Sequence, residues 1–272
     1  MAVQYSLDLS DAASATPAEL QQLATTLNPA IGALTPEQLL QLQTQLADIT
    51  PSHASEVALT GLAVSAVASP GRSLFNLAYA SAPDQLVQAG LGNDTITGAD
   101  GDTLVGSANP YGGALLIAGT GHERLQGGAG QDTMVGGQTR ASHTLILGGS
   151  GNQAVVGGVG DTTVGLGSGQ DTYSGGAGNS TVVAGGGHES VYGGAGTTTF
   201  EMSSADFNDE LFQGGGGTST NIFVLTDLNR GDVTIETRGA TTTVQFGGGT
   251  VTLQSVNEIL FKDGSHQTLG NP

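Results

Sequence analysis

The sequence contains no cysteine and no tryptophan, and only 11% of its 272 residues are charged. Without cysteine there is no disulfide framework, no thiolate zinc site and no cysteine nucleophile, a composition that fits an extracellular protein. Basic residues are scarcest. Arg72, Arg124, Arg140, Arg230, Arg238 and Lys262 face 24 carboxylates, for a formal charge of −18. Such a chain is repelled by phosphate backbones and anionic headgroups, which excludes a nucleic-acid binder or a polybasic membrane protein; it can concentrate cations instead. Long apolar runs are missing too. The longest, Val57 to Ala68, contains Gly61 and falls short of the ~18 residues a spanning helix needs. The opening MAVQYSLDLSDAAS has neither a basic nor an apolar region of the kind a cleaved signal peptide carries, so none is expected.

What the chain has in excess is glycine: 46 residues, about 17% against an ordinary share near 7%. Glycine is not spread evenly. Residues 1–50 hold one, Gly32, among many Leu and Gln. There, Thr16-Pro17-Ala18-Glu19 and Thr35-Pro36-Glu37-Gln38 each combine a capping box with proline at the first helical position. Leu39, Leu42, Leu46 and Ile49 form one stripe, so a helical hairpin is expected over 1–50. It either closes the end of the fold that follows or mediates self-association. Residues 51–88 are an apolar lead-in whose periodicity does not separate strand from buried helix.

From residue 89 a repeat governs the chain. Residues 90–97 read GLGNDTIT and 127–135 read GGAGQDTMV. Six nonapeptides then run from 148 to 201 without a slip, from GGSGNQAVV to GGAGTTTFE. Insertions interrupt the register at 106–117, at 136–147 and before Phe212. The pattern G-G-x-G-x-D-x-U-x over 89–213 resembles the repeats-in-toxin (RTX, haemolysin-type) calcium-binding family. The resemblance implies a mainly β fold, a parallel β-roll (β-solenoid) in which one nonapeptide is half a coil and same-side neighbours lie 18 residues apart. At about 4.8 Å per stacked strand, some seven coils make a rod of roughly 33 Å.

The first six positions suit a turn, where paired glycines let loops stack closely, and the last three suit a short strand with one inward side chain. That eighth position reads Ile96, Leu104, Leu125, Met134, Val155, Val164, Tyr173, Val182, Val191, Phe200 and Leu211, all apolar or aromatic. In the family, the sixth-position Asp and stacked backbone carbonyls hold Ca²⁺, a hard cation that wants six or more oxygens. The resemblance therefore makes Asp94, Asp102, Glu123, Asp132, Asp171, Glu189 and Asp209 the candidate calcium ligands. Gln153, Thr162, Ser180 and Thr198 depart from the pattern. Sorted by side, Gln153, Asp171, Glu189 and Asp209 fall on one edge, and Thr162, Ser180 and Thr198 on the other. One edge is expected to bind calcium and the other to close through hydroxyl hydrogen bonds.

His122 and His188 share the context Gly-His-Glu, but by repeat count they lie on different edges, so they are read as exposed fifth-position residues and not as a zinc pair. Thr163, Thr181 and Thr199 should form an outward ladder, as good strand formers or, alternatively, as an ice-binding array. The region 214–272 alternates apolar and polar residues around Gly247-Gly248-Gly249 and Asp263-Gly264, so a C-terminal antiparallel β segment is expected. It resembles the C-terminal ends of the family, which implies type I secretion with an uncleaved signal, although Thr268-Leu269-Gly270-Asn271-Pro272 lacks an acidic-then-apolar ending. No HExxH, GxSxG or P-loop is present, so no enzyme is expected. The expectation is a secreted calcium-binding structural protein of the cell surface or biofilm matrix that self-associates. The alternative is an extracellular module for polysaccharide or ice.

Overall fold

The structure, a computed structural model, describes residues 55–58, 65–67, 73–76, 86–90, 93–216 and 219–270. The helical hairpin expected over 1–50 lies outside the described residues. Successive short strands alternate between two sheets, of 12 and 11 strands. The chain thus winds as a flattened coil. In the first sheet, Thr172–Ser174 pairs in parallel with Ala154–Val156 before it and Ser190–Tyr192 after it. In the second, Asp161–Gly165 pairs in parallel with His143–Leu147 and Ser180–Val183. The registers Tyr173↔Val191 and Val164↔Val182 are the 18-residue step that the nonapeptide implies. The parallel ladders begin N-terminal to the regular repeats, at Ser55–Ala58 with Ser73–Asn76 and at Ser65–Val67 with Leu86–Gln88.

Two facing columns form the core. Ile96, Leu116, Met134, Val155, Tyr173, Val191 and Phe212 come from the first sheet; Val87, Leu104, Leu125, Ile146, Val164, Val182, Phe200 and Phe223 come from the second. All are at most 1% exposed. Leu116 and Ile146 fill the inward position in the two interrupted coils, where the insertions obscure the phase. One expected core residue is corrected. Leu211 is only half-buried, and Phe212 takes the inward place opposite Val191. The cause is the insertion before it: Ser204–Asp206 turns as a short 3-10 segment capped by Ser203, and Asp209 follows with φ of 71°. That left-handed residue uses up one position and shifts the phase by one.

The solenoid continues for one strand in each sheet before it reverses. Gly249–Gln254 pairs in parallel with Glu210–Gln213, and Glu258–Leu260 pairs in parallel with Asn221–Leu225. Antiparallel strands then cover both sheets: Thr241–Phe246 and Thr234–Arg238 on the first, His266–Thr268 on the second. The expected antiparallel segment is therefore mixed. Gly247 and Gly248 both have positive φ, the conformation of a tight hairpin turn between twisted strands.

Inward and outward positions differ enough to test the register. Phe212→Ala should cost about 3–5 kcal/mol of stability through the cavity it leaves, whereas Leu211→Ala should cost well under that. Val182→Asp, which buries an unpaired charge, should prevent folding. Denaturant melts of the three variants check this, and equal losses for the two alanine variants would refute the phase.

Candidate calcium-binding edges

Sixth-position side chains turn into the loops at the two edges of the coil. The first edge reads Asp94, Ala114, Asp132, Gln153, Asp171, Glu189 and Glu210, every one at most 4% exposed. The second reads Asp102, Glu123, Thr144, Thr162, Ser180, Thr198 and Asn221, every one at most 5% exposed. Of the expected ligands, Asp94, Asp132, Asp171 and Glu189 share the first edge, and Asp102 and Glu123 begin the second. Asp209 does not occupy the column. It is exposed, and its Oδ1 accepts a hydrogen bond from the Thr250 N–H at 3.1 Å. Glu210 stands in its place beside Glu189, as the pairing of Ser190 with Leu211 requires. The same one-residue shift that moved the core residue moved the carboxylate.

The length of the side chain decides how well each acid is satisfied. Asp171 reaches two coils: Oδ1 accepts from the Gln153 N–H and Oδ2 from the Gly167 N–H, both at 2.7 Å. Asp132 does the same, accepting from Ala114 and Ser107 at 2.7 and 3.2 Å and from Gly128 at 2.7 Å. Glutamate is a methylene too long for this bridge. Glu189 accepts from Gly187 at 3.2 Å, Glu210 from Asn208 at 2.7 Å and Glu123 from Gly121 at 2.7 Å. In each, Oε2 is buried with no partner, and so is Oε1 of Gln153, whose amide donates to the Gly130 carbonyl at 3.0 Å. Three of these four orphaned oxygens lie on the first edge.

A buried carboxylate oxygen without a partner is costly, and the ion pairs among the described residues, His143–Asp161, Arg238–Glu236 and His266–Glu258, lie elsewhere. Burial accordingly pushes Glu189 up to about 8, helped by repulsion from Glu210 and Asp171. Burial pushes Glu210 up to about 7 and raises Asp171 and Glu123 as well. The loops themselves supply neutral oxygen. A Cβ on Gly185 would lie 1.8 Å from the Gly167 carbonyl oxygen, and one on Gly187 would lie 1.6 Å from that of Gly169. Only glycine lets carbonyls of adjacent coils approach so closely. Among the described residues no three His, Asp or Glu side chains converge on one point. A cation on this edge would therefore draw charge from one or two carboxylates and its remaining oxygens from the backbone. That donor set suits Ca²⁺.

From Thr144 onward the second edge is closed by hydroxyls and an amide. Thr144 Oγ1 accepts from the Gly137 N–H at 2.9 Å and Thr162 Oγ1 from Gly158 at 3.2 Å. The Tyr173 hydroxyl donates to Ser180 from across the core. Asn221 accepts from Gly215 and donates to the Gly215 and Ser255 carbonyls.

The outward fifth position is more ordered than its varied sequence suggests. Asn152 Oδ1 accepts from the Gln170 N–H, Asp161 Oδ1 from Asn179, and Asn179 Oδ1 from Thr197, at 2.9–3.2 Å across 18 residues each. These side chains pair backbone donors on the next coil. His122 and His188 fall on different edges, as expected, but His122 stacks on His143, with ring centroids 5.0 Å apart. The insertion at 136–147 sets that spacing at 21 residues and hid it from the 18-residue count. Thr163, Thr181 and Thr199 do align as an outward ladder.

Glu189 and Glu210 hold a proton more tightly folded than unfolded. Metal-free stability is therefore complete below the ordinary glutamate value of 4.5 and is lost as pH rises through about 7 and about 8. In chelator the melting temperature should fall from pH 5 to pH 8.5, and millimolar Ca²⁺ should flatten that slope. Glu189→Gln should flatten it without calcium. A melting temperature in chelator that is level or rises with pH would refute the assignment.

A model of the RTX calcium-binding nonapeptide repeat matches the chain in 4 copies, over residues 84–108, 115–138 and 166–200. No curated protein matches the chain. The matched segments, which are RTX calcium-binding nonapeptide repeats, contain the loops that carry Asp94, Asp102, Glu123, Asp132, Asp171 and Glu189.

Proposed function

We propose that the protein is an exported, calcium-stabilised structural component of the cell surface or biofilm matrix, and that it acts through its surface and not through a catalytic centre. The orphaned oxygens of Gln153, Glu189 and Glu210 on one edge carry this reading. Sites of one or two carboxylates plus carbonyls are of the weak kind, with dissociation constants of about 10⁻⁴–10⁻³ M, that load outside cells where calcium is abundant. The rod then stiffens after export. RTX proteins generally leave the cell by type I secretion, and the C-terminal region supports that route here.

Self-association is supported by apolar side chains on both outer faces: Val156 and Tyr192 on the first sheet, Leu145 and Val183 on the second, each 37–40% exposed. The edge strand Thr234–Arg238 is guarded by the exposed Arg238–Glu236 pair, which discourages end-to-end strand pairing at that edge. Assembly through faces is the consistent route. A polysaccharide-binding role is the second reading, favoured by an open cleft beside Tyr111. The threonine ladder that suggests ice binding is bounded by Leu145 and Ile222 in the same column.

Calcium should raise the melting temperature and shift sedimentation and electron micrographs from monomer to assemblies. A hundredfold excess of calcium over one site's dissociation constant adds about 2.7 kcal/mol. Asp171→Ala should remove much of the calcium dependence, and Ser180→Asp, which places a carboxylate on the closed edge, should increase it. Deleting residues 1–50 should change the assembly state or the stability. A monomer that ignores calcium in both respects would overturn the proposal.

A further inference from the structure

The first insertion builds a feature on the outside of the roll, next to the first edge. Residues 107–112 leave the coil between Thr103–Val105 and Gly113–Ile117 and are tied down from within. Ser107, fully buried, donates its hydroxyl to the Gly90 carbonyl at 2.9 Å and accepts from the Asn109 N–H at 3.2 Å. Asn109 Oδ1 accepts from the Tyr111 N–H at 3.1 Å, and the Asn109 carbonyl accepts from Gly112 at 3.0 Å. Pro110 fixes its own φ between them. This loop is held in place, yet it presents the Tyr111 ring 96% exposed. An aromatic ring gains most by being covered, so a ring held open on a tied loop leaves that gain for a partner.

Beside the ring lies an open cleft of about 670 Å³, within the size range of small-ligand sites. Its floor is the outward row Thr95, Leu115 and Thr133, in register on three adjacent coils. Its rim is Asn93 and Gln131. Between them Gly113 packs directly against the next coil, since a Cβ there would lie 2.3 Å from the Gln131 carbonyl oxygen. Amides and hydroxyls each donate and accept, which matches a ligand dense in hydroxyls. The one acid among the lining residues, Asp94, is buried and holds the Gly90 N–H. With no basic side chain in the lining and a chain charge of −18, the cleft selects against anionic polymers.

We propose that this cleft binds a neutral glycan, with the apolar face of a pyranose on Tyr111 and its hydroxyls on Asn93, Gln131, Thr95 and Thr133. It deepens the polysaccharide reading and rests on it for the setting in which such a polymer is met; it requires neither calcium-dependent assembly nor export. The test is calorimetry and saturation-transfer NMR on the full chain in calcium, with maltohexaose, cellohexaose and laminarihexaose as probes and polygalacturonate as the anionic comparison. At least one neutral probe should bind saturably. Tyr111→Ala should weaken it about tenfold or more with no change in melting temperature, and Gln131→Ala should weaken it less. Tyr192→Ala, outside the cleft on the same sheet, should leave binding unchanged. Binding of polygalacturonate alone, binding of no neutral probe, or equal affinity in Tyr111→Ala would overturn the assignment. Failure of calcium-dependent assembly with glycan binding intact would overturn only the structural reading.

Discussion

Loops stacked one strand spacing apart cannot turn to water for their inward backbone N–H groups, and those donors must be met from inside the coil. Most features of this protein follow from that requirement. The loops are glycine-rich because at positions such as Gly167, Gly176, Gly185 and Gly187 a Cβ would strike a carbonyl of the adjacent coil. The sixth-position side chain points inward because it alone can reach the donors. Aspartate has the right length to join two coils, as Asp132 and Asp171 do. A longer arm satisfies one oxygen and strands the other, as in Glu189 and Glu210. Calcium answers a deficit that the geometry of stacking creates.

The two edges answer the same requirement with different chemistry. Hydroxyls and an amide close the second edge from Thr144 to Asn221 with neutral hydrogen bonds, each worth about 1 kcal/mol and insensitive to calcium. The first edge keeps its carboxylates, and with them repulsion between neighbouring coils. On the proposed reading, such a rod has one spine held by neutral hydrogen bonds and one that metal would tighten. The sheets between the two spines share one core, so tightening one edge bears on both.

Much of this was legible in the sequence because a nonapeptide writes inward and outward directly into residue type. The core columns could be read from the spacing wherever it was regular, and the resemblance to RTX repeats implied the two edges and the parallel ladder. Reading failed where local backbone geometry broke the count. The 3-10 turn at Ser204–Asp206 and the left-handed Asp209 moved both the core residue and the carboxylate by one, to Phe212 and Glu210. Leu116, Ile146 and the His122–His143 stack were hidden by insertions for the same reason. The fifth-position ladder left no trace in composition, since Asn, Asp and Gln look interchangeable until their partners on the next coil are seen.

The uneven filling of the core carries a further consequence. Phe200, Phe212 and Phe223 pack with ring centroids 5.4 and 5.7 Å apart, whereas the middle coils are filled by Val155, Val164, Val182 and Val191 around the single ring of Tyr173. Because each coil touches only its neighbours, stability in such a stack is close to a sum of local terms. The aromatic coils, sealed by the reversing strands beyond them, form the most protected cooperative unit. Opening would begin among the valine-lined coils and reach the aromatic end last, so the rod loses its order in stages and not all at once.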